Sequence, residues 1–160
     1  MENKNPFLIL EQILVVSIFQ YIVYNFFHFK ITPSFFLVYL LLLTFDGEVE
    51  LSIFLSFILG LINDIFTKDI LGSSSIRFLI IIYFSSFFVV KSIKSKSGFI
   101  FIFSFLYFIL LCLRKSGEIV WSSWTLFRYA ILFSLYNFLT GFFVEVFIEE
   151  VRKKWKERIF

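Results

Sequence analysis

The sequence predicts an all-α integral membrane protein with six transmembrane helices, one of them short. The 160 residues are 59% apolar and 23% aromatic, with a mean hydropathy of +0.91, whereas soluble domains are about 45–50% apolar. The apolar residues form runs that suit membrane spans of about 20 residues, separated by short polar connections. The predicted spans cover about residues 6–27, 33–45, 49–66, 74–90, 99–113 and 124–150.

The charge pattern favours a membrane surface over a nucleic-acid partner. The net charge is +3, and the positive residues cluster near the ends of the predicted spans, as expected beside anionic lipid. We expect a single transmembrane domain over residues 1–160, with no extramembrane domain to hold a soluble active site. Cys112 is the one cysteine and lies in an apolar run, so we interpret it as a buried, inert thiol.

The first predicted helix carries a polar and aromatic stripe. It begins at Pro6, a residue that suits the first helical position, and Ser17, Tyr21, Tyr24 and His28 share one of its faces. We interpret this stripe as a packing face with an interfacial tyrosine belt rather than as a ligand-lining surface. His28 has no neighbouring His, Cys or acidic residue, so no metal site is expected.

The second predicted helix is too short to cross a bilayer. Its apolar part of about 13 residues reaches about 20 Å, less than the bilayer core of about 30 Å. Asp46-Gly47 ends it, and the connection that follows is acidic. Such a helix must be sheltered by its neighbours, or it reaches only partway with its polar connection inside a protein cavity.

The third predicted helix carries a seam of small residues that ends in a carboxylate. Ser52, Ser56, Gly60 and Asp64 recur every fourth residue and therefore share one face. Small residues let another backbone approach closely in lipid. Asp64 either ties this helix to the next one, through backbone amides or Arg77, or binds a proton, an ion or a ligand, and we favour the structural tie.

A short turn joins this helix to the fourth, and we interpret the resulting hairpin as the element around which the chain packs. The turn ends at Gly72, and a serine of the run 73–75 is expected to cap the new helix. Arg77 lies in the first turn, where a cation opposes the helix dipole. We therefore expect Arg77 to contact Asp64.

The sixth predicted helix carries a second seam and projects beyond the bilayer. This seam consists of small and polar residues, namely Ala130, Ser134, Asn137, Gly141 and Glu145. For Asn137 we expect an interhelical hydrogen bond. For Glu145, Glu149 and Glu150 we expect intrahelical pairs with the basic residues that follow. Before this helix, a segment with Trp121 and Trp124 is expected to lie at the membrane interface.

The signature GLIND at 60–64, followed by Ile70-Leu71-Gly72 and an apolar helix, resembles that of the MreD family of bacterial rod-shape-determining proteins. The length, the six spans, the short second helix and the basic tail at 151–160 are similar too. At the level of motifs the resemblance covers about residues 56–83. Gly60, Asp64 and Gly72 match the family's recurring positions.

The resemblance implies a non-enzymatic scaffold, without a cofactor, of the cell-elongation machinery in the bacterial inner membrane. Its implied partners are MreC, a single-span protein with a periplasmic domain, and with it MreB, RodA and a class B penicillin-binding protein. The implied fold is similar to the substrate-binding subunits of energy-coupling-factor transporters. The lysine and arginine distribution favours cytoplasmic termini. We interpret both seams as packing faces, one of them for the helix of MreC.

The alternative function is that of a vitamin-binding subunit of an energy-coupling-factor transporter. Such a subunit needs a sealed pocket with several converging polar groups on the extracellular side. The residues expected on that side are Asn25, His28, Trp121, Trp124 and Arg128. They do not form an obvious ligand-binding arrangement. A membrane-embedded enzyme is not expected, because the sequence has neither a nucleophile–base motif nor a glycine-rich phosphate loop.

Overall fold

The computed structural model describes residues 6–26, 32–89, 95–115 and 123–159. These residues form six α-helices and no β-strand, which confirms the predicted all-α class. The helices are α1 (Pro6–Phe26), α2 (Phe35–Phe45), α3 (Val49–Thr67), α4 (Ser73–Val89), α5 (Lys96–Lys115) and α6 (Ser123–Ile159). The predicted tail at 151–160 therefore continues α6 as far as Ile159. His28 and Trp121 lie outside the described residues.

The short helix α2 lies at the centre of the bundle. It contacts all five other helices, and each residue from 36 to 44 is at most 3% exposed. A helix that is apolar on every face is stable in the core of a bundle, so the longer helices shelter α2. The α3–α4 hairpin is therefore not the organising element that the sequence suggested, because the other helices pack around α2.

Three charged residues tie α2, α5 and α6 together on one side of the bundle. Lys96, at the start of α5, lies 3.1 Å from Asp46 and 2.9 Å from Glu145, and thus joins the end of α2 and the start of α5 to the middle of α6. We call this side the lower end. Glu145 bonds across helices, which corrects the expected intrahelical pairing. The ion pairs also explain why α5 begins at Lys96, three residues before the predicted span.

The environment of Lys96 favours its charged form. The hydrogen bond to Glu145 raises the pKa of Lys96 above its ordinary value of 10.5, and Asp46 adds to this increase, while partial burial opposes it. The stabilisation from a group with a raised pKa is complete below the ordinary pKa and is lost only as the pH rises through the raised value. Lys96 therefore holds the lower end at every physiological pH.

Replacing Lys96 by methionine is expected to lower the free energy of unfolding by about 1 kcal/mol, as for a half-exposed ion pair. Methionine keeps the aliphatic stem, so the loss reports the charge. Thermal unfolding in detergent measures it, with the exposed Lys153→Met as a control that should leave stability unchanged. The difference from wild type should stay constant between about pH 6 and about pH 9. A difference that vanishes within that range would contradict the assignment.

The buried face of α1 differs from the predicted stripe. Tyr21 is 53% exposed, although its ring packs edge-on against Phe66 of α3 with the centroids 5.8 Å apart, so the stripe forms only a secondary contact. The buried residues of α1 lie four apart and are Leu8, Gln12, Val16 and Gln20. Cys112 also differs from expectation, since it is half-buried in α5.

The outward surface of the bundle is apolar. In the described part, three helices are long and apolar enough to cross a membrane, and their spans are Phe7–Asn25, Val49–Thr67 and Trp124–Val151. Large side chains such as Leu10, Phe54 and Phe143 point outward and are more than 60% exposed. Large exposed apolar surfaces are typical of interaction or membrane surfaces, and with these spans they indicate a membrane protein.

Candidate functional site at the α3–α4 junction

Helices α3 and α4 approach each other closely at Gly60. A Cβ atom at this position would overlap the backbone of Ser75, so glycine is the residue that allows the approach. The Ser75 hydroxyl donates a hydrogen bond to the Phe57 carbonyl oxygen at 2.9 Å and thus joins the two helices at the same level. The middle of the α3 seam is therefore a contact surface for α4.

The lower half of the same seam is buried inside the bundle. The Thr44 hydroxyl, on α2, donates to the Ser52 hydroxyl at 2.9 Å, and Ser52 donates in turn to the Val49 carbonyl oxygen at 2.9 Å. Ser56 donates to the Ile53 carbonyl oxygen at 2.7 Å. Ser52 and Ser56 have no exposed surface. Their hydroxyl groups are therefore bonded within the chain, and their small side chains take up little space on this face of α3.

Asp64 ends the seam as a fully buried carboxylate. Its two oxygens accept the backbone N–H of Ser74 at 3.0 and 3.2 Å, and Oδ1 also accepts the Ser73 hydroxyl at 3.3 Å. The first N–H groups of a helix have no intrahelical partner, and its N-terminus favours negative charge. Asp64 of α3 thus caps α4. The expected structural tie between the two helices therefore runs through backbone amides of α4.

The predicted serine cap is wrong. Helix α4 already begins at Ser73, and the carbonyl of Gly72 accepts the N–H of Ile76 at 3.0 Å, so Gly72 occupies the capping position. Gly72 has φ +90°, a conformation that glycine adopts at no steric cost. It allows the tight reversal that brings the start of α4 back to Asp64.

The predicted contact between Arg77 and Asp64 is also wrong. The Nη2 atom of Arg77 lies 3.4 Å from Oδ2 of Asp69 and donates to the hydroxyls of Ser73 and Ser74 at 3.0 and 2.9 Å. The Ser73 hydroxyl contacts both Arg77 and Asp64, so one hydroxyl group separates the two charges. Asp69, in the turn, is the carboxylate that pairs with the cation in the first turn of α4.

Asn63 completes this polar group, and Tyr107 lies beside it. Asn63 Nδ2 donates to the Ser74 hydroxyl oxygen at 2.9 Å, and the buried Tyr107 of α5 packs against Phe78 with ring centroids 5.4 Å apart. We call the polar group the upper cluster, and its members are Asn63, Asp64, Asp69, Ser73, Ser74 and Arg77. Their bonds fix α3, the turn and α4 relative to one another. Among the described residues, no group of His, Cys, Asp and Glu could hold a metal ion.

The second seam, on α6, packs against α2 and α5. Asn137 Oδ1 accepts the backbone N–H of Ser34 at 2.8 Å, which confirms its expected interhelical bond. A Cβ atom at Gly141 would lie 2.6 Å from Ile100 Cδ1 and 3.7 Å from Val38 Cγ1. Ala130 and Ser134, the first two residues of this seam, are buried as well.

Gln20 is a structural residue that the sequence analysis missed. Its Oε1 accepts the N–H of Phe35 at 2.8 Å, next to the bond between Asn137 and Ser34. Because α2 begins inside the bundle, its first N–H groups need partners from the protein, and two amide side chains supply them. The available signal was the pair Gln12 and Gln20, eight residues apart on a mostly apolar helix.

Both seams are therefore occupied by helices of the same chain. All members apart from the half-buried Glu145 are buried, and neither seam offers a free surface, which corrects the suggestion that the helix of a partner docks in one of them. Comparison of the chain with models of protein families, with curated proteins and with solved structures finds no match.

Proposed function

We propose that the chain is a non-enzymatic scaffold of the bacterial inner membrane, related to MreD, that holds protein partners of the cell-elongation machinery. The observation that carries this proposal is that the polar side chains of the seams and the upper cluster are bonded inside the chain, while the outward surface is apolar. The polar side chains of both seams and of the upper cluster form hydrogen bonds with backbone groups and side chains of the same chain, and large apolar side chains cover the outside. Such a molecule offers its neighbours a rigid shape.

The residues that match the MreD pattern support this proposal because each has a separate structural task. Gly60 allows α3 and α4 to approach, Gly72 reverses the chain, and Asp64 caps α4. Together they build one hairpin. A motif that specifies a hairpin suits a protein whose function depends on shape.

The proposal includes an orientation in the membrane. Gln20 and Gln12 contact Phe35 and Tyr39 in that order, so α1 runs antiparallel to α2 and begins at the lower end. Helix α6 passes α2 at Asn137 and then reaches the lower end, from which its basic segment continues. By the positive-inside rule, the lower end faces the cytoplasm and both termini lie there.

The proposed partners follow from the MreD assignment. They are MreC as the direct partner and, in the same machinery, MreB, RodA and a class B penicillin-binding protein. The proposal also includes the fold: the chain is expected to be similar to the substrate-binding subunits of energy-coupling-factor transporters.

Affinity purification of the tagged chain from its own host membranes, in mild detergent, tests the proposal. We expect MreC to be retained, and we expect depletion of the chain to turn rod-shaped cells round. An unrelated tagged membrane protein of similar size is the control. Unchanged cell shape after depletion, together with no retained MreC, would contradict the proposal. A retained vitamin in place of MreC would favour the transporter alternative.

A further inference from the structure

An arginine and a tryptophan lie together near the start of α6. This helix begins at the end of the bundle that is opposite to the lower end, and we call that end the upper end. The Arg128 Cζ atom lies 5.9 Å from the centroid of the Trp124 ring, within the range of a cation–π contact. Both side chains are exposed, Trp124 by 64%. Arg128 is therefore held over an aromatic ring on the outer surface of the bundle.

Two further aromatic rings support Trp124. Phe127 stacks on Trp124 with ring centroids 6.2 Å apart, and Phe105 of α5 packs edge-on against Phe127 at 6.1 Å. Long side chains on a helix point back towards its N-terminus, which for α6 is the upper end. The guanidinium group of Arg128 is therefore directed over Trp124 and away from the middle of the bilayer.

The positive charge of Arg128 is not balanced within the described part of the chain. The ion pairs among the described residues use Arg77 and Lys96 as their cations, and no carboxylate there pairs with Arg128. The sequence from 114 to 128 carries three basic residues and one acidic residue, Glu118, so this end of α6 is net positive. An unpaired charge beside hydrocarbon is costly, and Arg128 therefore needs an anion from outside the chain.

The ion pairs at the lower end indicate the level of Arg128 in the membrane. Lys96 bonds Glu145 there, and because charged groups are costly within hydrocarbon, Glu145 marks one boundary of the bilayer core. From Glu145 back to Arg128 the helix rises about 26 Å, close to the core thickness of about 30 Å. The long side chain of Arg128, directed outward, therefore reaches the layer of lipid phosphates at the opposite boundary.

We infer that Arg128 and Trp124 bind the headgroup of an anionic phospholipid in the leaflet at the upper end. A guanidinium group matches the oxygens of a phosphate with two parallel hydrogen bonds, and an indole ring suits the boundary between hydrocarbon and headgroups. The net positive charge of residues 114–128 favours an anionic lipid over a zwitterionic one. Lipid phosphates surround the protein at this level, whereas a carboxylate would require a protein partner that places it there.

Native mass spectrometry of the purified full chain in detergent, with added phosphatidylglycerol, tests this site. We expect Arg128→Met to weaken phosphatidylglycerol binding about tenfold, the lower end of what hydrogen bonds to a charged group contribute. Arg128→Gln, which also removes the charge, should give the same loss. Because Arg128 is exposed, both variants should unfold at the temperature of the wild-type chain.

Lys68→Met is the matched control. It removes one exposed positive charge at the same end of the bundle, but Lys68 lies in the turn between α3 and α4, and neither of these helices contacts α6 in the described ranges. The control should leave phosphatidylglycerol binding unchanged. Trp124→Leu keeps an apolar side chain and removes the ring under Arg128, so it should weaken binding about threefold, as for the loss of an exposed cation–π contact.

Three results would overturn the inference. Equal losses from Arg128→Met and Lys68→Met would mean that the total charge of the upper end attracts the lipid and that no site exists. Equal binding of phosphatidylglycerol and phosphatidylcholine by the wild-type chain would remove the preference for an anionic headgroup. Undiminished phosphatidylglycerol binding by Arg128→Met, combined with the loss of a protein that copurifies with the wild-type chain, would assign Arg128 to a protein contact.

Discussion

Replacing Gly60 by valine is expected to lower the free energy of unfolding by about 3 kcal/mol, at the upper end of the range for overpacking. The new Cβ atom would meet the backbone of Ser75, which cannot rotate away as a flexible side chain can. The two helices would have to separate, and the bonds that Asp64 makes to the start of α4 would lengthen with them. Thermal unfolding of the purified protein in detergent measures the loss.

Gly98→Ala is the matched control for this substitution. A Cβ atom at Gly98, in the first turn of α5, would meet only the Ser95 Cβ at 3.9 Å, an ordinary van der Waals distance. Because glycine within a helix is less favourable than alanine by about 0.5–1 kcal/mol, the control should be unchanged or slightly stabilised. If Gly60→Val unfolds at the same temperature as wild type, the close approach of α3 and α4 does not support the fold.

Replacing Asp64 by alanine is expected to destabilise the protein by about 3 kcal/mol, the lower end of the range for breaking a buried charge interaction. The substitution leaves the buried N–H of Ser74 and the hydroxyl of Ser73 without their acceptor. It also removes the negative charge nearest to the start of α4. The loss is measured as for Gly60, by thermal unfolding in detergent.

Two conservative variants identify the cause of this loss. Asp64→Asn keeps an acceptor oxygen for the Ser74 N–H but removes the charge, and it should be less destabilising than Asp64→Ala. Asp69→Asn weakens the pair with Arg77. Because the Asp69 side chain is 29% exposed, this substitution should have the smallest effect of the three. If Asp69→Asn proved the most destabilising, the junction would depend on the Asp69–Arg77 pair and not on the cap.

Local signals in the sequence were sufficient to place most helix ends. Pro6 marks the start of α1, Asp46-Gly47 follows the end of α2, and Gly72 precedes α4, because each depends on the chemistry of a few adjacent residues. The start of α5 was placed too late, since Lys96 looks like part of a basic loop. Its position in the helix depends on Glu145, about fifty residues further along the chain.

The periodicity of the seams identified buried positions but not what covers them. Four-residue spacing places Ser52, Gly60 and Asp64 on one face whatever the fold is, and all of them are buried. Which helix meets that face depends on how the bundle is assembled. For the same reason Asp64 was the wrong expectation for the partner of Arg77, since Asp69 lies in a turn whose conformation the spacing does not fix.

The central position of α2 had only an indirect signal. Its length indicated that it needs shelter, but length does not tell which helices supply it. Gln20 and Asn137, which bond the start of α2, are separated by more than a hundred residues, so neither suggested the other. The polar residues of the apolar helices therefore mark the places where the bundle is joined.

Native mass spectrometry of the chain coexpressed with MreC, released gently from detergent, is the most direct test of the scaffold proposal. We expect the chain to leave the detergent in complex with MreC and without a bound molecule of vitamin size. A chain that retains such a molecule and leaves without MreC would contradict the proposal.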